Sequence, residues 1–271
     1  WPIQVPEAAY LPLGKIYAYT DSTKSGKSIK SALRITLQTV TDYQFSQLTI
    51  DQLTFFLHGT GSLPAQLYEL IFGHSVSVII TDVVNQKRYT YADTMIEPVG
   101  YAQQESLLPA TAQTFQGYRL LQEYFALPER YLFFKLSQLS KTVKLCNTNK
   151  IEILILLDVA QDKLEGVVSA DHFRLNCAPA INLFEKQADR IHVKRYNAEH
   201  HLVIDRTKPD DFEVFKLLNV VGYTDEIKSE KVFHPFYSDY HQDSDKPGYF
   251  AYYTLRRQPS LVPINTHSNS I

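Results

Sequence analysis

The run Phe115-Gln-Gly-Tyr-Arg-Leu-Leu-Gln-Glu-Tyr-Phe-Ala-Leu-Pro-Glu-Arg-Tyr-Leu-Phe-Phe134 constrains this chain more than any other stretch. On a helical wheel Tyr118, Leu120, Leu121, Tyr124 and Phe125 gather on one side, with Arg119, Gln122 and Glu123 on the other. Thr114 stands at the N-cap position, and Gly117 occupies the place where a capping box would put Glu or Gln. Pro128 cannot extend a helix and pushes Leu127 out of the α region, so the helix runs from Phe115 to Leu127. Tyr131 to Leu136 then reads as an aromatic-rich, buried strand. Because exposed clusters of large apolar groups invite aggregation, the pattern predicts a core helix with its aromatic side inward and Arg119 outward. The stretch holds no catalytic chemistry.

Composition sets only broad limits. A chain of 271 residues can form one large domain or two ordinary ones. The 18 Tyr and 15 Phe favour strands and amphipathic surfaces over a helical bundle. A net charge of −2 gives no reason to expect nucleic acid or an anionic membrane as a partner. Cys146 and Cys177 are too few for a disulfide framework or a zinc site and read as two free thiols. No apolar run approaches the roughly 20 residues that span a bilayer, so no membrane insertion is expected. The chain opens on Trp1 with neither Met nor a signal peptide, which reads as an excised fragment.

In chain order, residues 1 to 12 carry three prolines and read as an extended lead-in at a sheet edge. Ala32 to Val40 alternates as a half-buried strand, and Leu53 to His58 is another. Pro64 and Gly73 bracket a short helix carrying Leu63, Leu67, Leu70 and Ile71, and Ser75 to Asp82 with Lys87 to Ala92 form a hairpin turning near Asn85. Glu97 to Gln113 is an irregular junction, and Ser137 to Asn149 is loop-like. Ile151 to Val159 is the most hydrophobic strand, and Phe173 to Cys177 is a further one. Asn182-Leu-Phe-Glu185 has the pattern of a helix start, Arg190 to Tyr196 with His201 to Asp205 form a second hairpin, Thr224 to Lys246 is a long polar loop, and Tyr249 to Leu255 is the last strand. The order strand, strand, short helix, strand thus occurs twice, offset by 115 to 118 residues, which predicts a duplicated unit. The architecture expected is β-rich α+β: two tandem small β-sheet domains, each with a short packed helix, over 1–105 and 106–271.

Each candidate site has a plainer reading. Ser25-Gly-Lys-Ser28 lacks the leading glycine of a phosphate loop, since Asp21 stands there and would repel phosphate. His200, His201 and Asp205 could suggest a metal, but neighbouring strand residues point to opposite faces. His172 with Cys177 lacks further ligands. Asp158 and Asp171 could be nominated as an acid–base pair, though no sequence fixes their separation. Gly117 early in a helix costs about 1 kcal/mol against Ala and fits either a close approach by a neighbouring segment or a fraying helix start. No catalytic, cofactor or metal residue is assigned.

The stretch Gly117 to Leu136 resembles, with small changes, a signature segment of the TssF family, also called VasA or ImpG, of type VI secretion baseplate subunits. Leu53 to Gly59, Leu67 to His74 and Phe173 to Asp189 resemble that family in the same order. The chain looks like its middle region, without the N-terminal helical and C-terminal parts. The resemblance implies a non-enzymatic structural component of a bacterial, phage-tail-like contractile injection machine, cytoplasmic and docked at an inner-membrane complex. It implies association with TssG, through it with TssK and TssE, around the VgrG spike hub, and no cofactor. The alternative is a β-sandwich carbohydrate-binding or carbohydrate-active module, which would need Tyr platforms beside convergent carboxylates in one cleft.

Overall fold

The computed structural model describes residues 2–20, 28–41, 43–83, 87–91, 95–109, 115–193, 196–209, 211–223, 230–236 and 251–257. In chain order they form β1 (Ile3–Pro12), α1 (Leu13–Thr20), β2 (Ser31–Thr39), β3 (Leu53–Leu57), α2 (Leu63–Gly73), β4 (Ser75–Asp82), β5 (Lys87–Tyr91) and β6 (Met95–Pro98). There follow α3 (Gln116–Ala126), β7 (Phe133–Ser137), α4 (Ser140–Val143), β8 (Lys150–Leu157), β9 (Phe173–Arg174), β10 (Val220–Tyr223), β11 (Glu230–Pro235) and β12 (Ala251–Tyr253). The architecture is α+β with strands dominating, as the sequence implies. The chain divides into two units, Trp1–Ile181 and Asn182–Ile271.

The first unit is built on an antiparallel sheet of order β1-β2-β8-β4-β5 and a second of order β6-β7-β3-β9. β8 explains why. Its near-continuous apolar run needs cover on both faces, which only a central strand receives. Ile151, Ile153, Ile155 and Leu157 enter the main core, while Leu154 and Leu156 enter a smaller cluster with Ile16 of α1 on the other face. The main core also takes Leu53, Phe55 and Leu57 of β3, Phe134 and Leu136 of β7, and Leu67, Leu70 and Ile71 of α2. Cross-strand partners Phe55 and Phe134 stack at 5.0 Å and Phe56 and Phe133 at 4.6 Å, pairs that help fix the β3–β7 register. The proline-bearing β1 is an edge strand, with a register shift between Gln4 and Glu7 that contains Pro6.

Several expectations are corrected. A division at 105/106 would cut both sheets, because β8 sits between β2 and β4 and β7 lies beside β3. The duplication is not seen: β3 and β4 belong to different sheets, and residues 177–193 form neither helix nor strand. Asn182-Leu-Phe-Glu185 starts no helix; Leu183 and Phe184 are exposed, and a short helix without a packed face is marginal. The second hairpin is replaced by looser contact, in which Asp189 N–H donates to the Val203 carbonyl at 3.2 Å and Arg206 N–H to the Asp189 carboxylate at 2.9 Å. The second unit contains the sheet β10-β11-β12, with β11 inside the stretch read as a loop. In the first unit, α4 and its flanks replace the loop expected at 137–149, burying Leu139, Val143 and Cys146.

Candidate protein-interaction surface

Helix α3 forms where the sequence predicts it, but turned the other way. Tyr118 is 71% and Phe125 81% exposed, and Phe115, Leu121 and Tyr124 are exposed beside them. Arg119 and Glu123 are each only 3% exposed. These are the only charged residues of the helix, so its outward surface carries aromatic, aliphatic and amide groups and no charge.

What turns the helix is an ionic cluster beneath it. Glu123 is the hub. Its Oε2 accepts from Arg119 Nη1 at 3.1 Å and contacts Arg130 Nη1, which follows the helix in the 3-10 turn Pro128–Tyr131. Its Oε1 accepts the backbone N–H groups of Leu107 and Leu108, each at 3.1 Å. Arg130 Nη2 donates to the carbonyls of Gly100 at 2.9 Å and Glu105 at 2.8 Å. The half-buried Glu105 carboxylate accepts the N–H groups of Gly100 and Ala102. Two arginines and two glutamates therefore balance, and burial pulls the Arg130 guanidinium below its ordinary value. Gly100 has φ +104° and lies so close to Arg130 that an added Cβ would stand 3.1 Å from its carbonyl oxygen, so the loop needs glycine there.

Ring contacts finish the outer surface. Phe115 and Tyr118 meet edge-on at 5.5 Å, and Tyr124 packs at 5.7 Å from Phe125 and 6.0 Å from Tyr131. Tyr131 O–H donates to the Leu120 carbonyl at 3.1 Å. A Cβ at Gly117 would stand 2.5 Å from the Phe115 ring, but that ring is exposed and free to swing aside, so the contact does not demand glycine. The close approach comes from this chain's own side chain. The sequence does not mark Arg130, Glu105 or Gly100; the one available signal is an arginine directly before the apolar run that leads into β7.

The other candidates do not assemble into a site. Asp21 to Lys27 and Thr114 lie outside the described residues. Asp158 sits 2.9 Å from His74 Nδ1, and Asp171 belongs to the 3-10 turn Ala170–His172. His172 Nδ1 accepts the Ser169 N–H at 3.0 Å, while the exposed Cys177 sulfur lies 3.5 Å from the Leu175 carbonyl. His200 and His201 are in no strand. Asp205 is held down to about 2 by hydrogen bonds from Thr207 and Lys186. Cys146 is buried, which pushes its thiol up to about 12. Among the described residues no group of three His, Cys, Asp or Glu could hold a metal ion, and no helix is long and apolar enough to cross a membrane.

The family model for the type VI secretion system protein TssF matches residues 1–269. This chain belongs to the TssF family. It is 36% identical over 268 residues to the type VI secretion system component TssF1 of Pseudomonas aeruginosa, an alignment covering 97% of this chain and 42% of that protein. A chain in a TssK-TssF-TssG baseplate subcomplex solved by cryo-electron microscopy shares the fold, with TM-score 0.66 and 22% identity over 87% of this chain and 41% of that one. The chain thus spans about two fifths of the length of these relatives.

Proposed function

We propose that this chain is part of a structural baseplate subunit of a type VI secretion system, acting by protein–protein assembly and not by catalysis. The observation that carries the reading is the TssF family match along residues 1–269. The similar chain in the TssK-TssF-TssG subcomplex makes TssG and TssK counterparts the partners of choice. Contacts to TssE and a VgrG hub, and a cytoplasmic location at the inner membrane, follow from the same family reading. An uncharged aromatic surface of the α3 kind suits such a part, because desolvating it on assembly leaves no charge unpaired. The carbohydrate-module alternative gains nothing from the site geometry: among the described residues the carboxylate of α3, Glu123, is buried and committed to two arginines.

The test is co-expression of the family-length protein containing this sequence with its TssG and TssK counterparts. A stable complex that survives size-exclusion chromatography is expected. Failure of the folded protein to retain either counterpart would overturn the reading.

A further inference from the structure

We propose that the sheet β10-β11-β12 of the second unit is an inner layer, covered on both faces by parts of the family-length polypeptide that lie outside residues 1–271. The inference rests on membership of the TssF family and not on the baseplate reading, because it concerns one polypeptide folding on itself.

The first observation is the pattern of the strands. In the register of the sheet Val220 stands opposite Phe233, and Phe233 opposite Ala251, which puts these three on one face. Val221 stands opposite Val232 on the other. Both faces therefore carry apolar groups. A sheet with one side in water alternates apolar with polar, whereas apolar groups on both sides mark a sheet that is buried on both.

The second is burial. Among the described residues of Asn182–Ile271 no side chain is buried, and Phe173, in the first unit, is the last described residue that is. Val232 is 47% exposed, and Val220, Val221, Phe233 and Ala251 are only half-buried. The strands are 4, 6 and 3 residues long. A sheet this small needs a packed apolar face to hold, because its hydrogen bonds alone return too little against the conformational freedom lost. The described part of the second unit has strands without a core.

The third is length, and it decides between covers. The matched stretch is 42% of TssF1 and 41% of the similar solved chain, so more than half of each polypeptide lies outside it. A separate subunit would leave two apolar faces open to water until assembly, which invites aggregation. Segments of the same polypeptide cover them as the chain folds. Two covered faces are the layering of a domain interior.

Hydrogen exchange read by mass spectrometry, on the 271-residue chain and on the family-length protein without partners, tests this. In the 271-residue chain the amides of Val220 to Tyr223 and of Glu230 to His234 should exchange within about tenfold of unprotected rates; in the family-length protein they should slow by at least about a hundredfold. Those of Ile151 to Leu157 in β8, a buried central strand, should be protected in both. Val221→Asp and Phe233→Asp, one on each face, should each lower the melting temperature of the family-length protein and leave that of the 271-residue chain unchanged. Equal protection of the strands in the two proteins would overturn the proposal, since the sheet would then sustain itself. So would strands that stay unprotected in the family-length protein alone and slow only when its TssG counterpart is added, which would assign the cover to a partner. A family-length protein indifferent to either aspartate would overturn it too.

Discussion

Replacing Glu123 with alanine should be the most damaging single change in α3, although helix propensity alone would favour it. The carboxylate is the counter-ion of both Arg119 and Arg130, which would be left charged at positions almost closed to water. Removing one partner of a buried pair costs about 3–5 kcal/mol. The N–H groups of Leu107 and Leu108 would also lose their acceptor, at about 1–3 kcal/mol each if they stayed buried. These terms do not add, because the loop 99–109 can open and let water reach the freed groups. The expected loss is therefore about 4 kcal/mol, a large part of the 5–15 kcal/mol typical of a domain. Urea unfolding followed by tryptophan-independent circular dichroism measures it, and hydrogen exchange should show the loss centred on residues 100–131. Glu123→Gln should cost less, since the amide oxygen can still accept from the loop. The triple change Arg119→Met, Glu123→Leu, Arg130→Met should recover much of the loss, since well-packed apolar groups can replace a buried ionic cluster. A Glu123→Ala loss below about 1 kcal/mol would refute the hub.

Phe125→Ala, at an exposed position, should change stability by less than about 0.5 kcal/mol in the same unfolding experiment, where a core phenylalanine would cost about 3–5 kcal/mol. Ile153→Ala, in the centre of β8 between β2 and β4, should cost about 2–5 kcal/mol. A thiol-reactive chromogen should titrate one cysteine per native chain, the exposed Cys177, and two after denaturation, because Cys146 is buried with its thiol pushed up to about 12.

The extent of α3 was legible and its orientation was not. A wheel separates Tyr118 and Phe125 from Arg119 and Glu123, but burial prefers the apolar side only when the polar side has nothing to pair with. Here the pairing groups come from Arg130, beyond the helix, and from Gly100, Glu105, Leu107 and Leu108, before it. No periodicity within the helix encodes them. β8 was legible for the opposite reason: eight residues from Lys150 to Leu157 carry their own demand for a central position. Its neighbours β2 and β4 lie far back in the chain, and reading contiguous stretches as separate domains overlooked such long-range pairing. α1 is not legible locally because its Ile, Tyr and Thr residues favour strand, while the buried Ile16 is decided by the sheet it covers. The supposed second repeat shows the reverse error, local patterns at Asn182 and Arg190 without a packed surface to fix them. Membership of the TssF family was legible from residue identity in Gly117–Leu136 and its three companion segments. The physics of those segments explains a fold and a surface, and the family supplies the machine they serve.

Everything inferred for this surface depends on which way α3 faces. Hydroxyl-radical footprinting of the dilute, folded chain, read by mass spectrometry, reports that side chain by side chain. The account predicts rapid oxidation of Tyr118 and Phe125, with Phe55 and Phe134 of the core protected. Protection of Tyr118 and Phe125 to the level of Phe134 in the dilute, folded chain would contradict it.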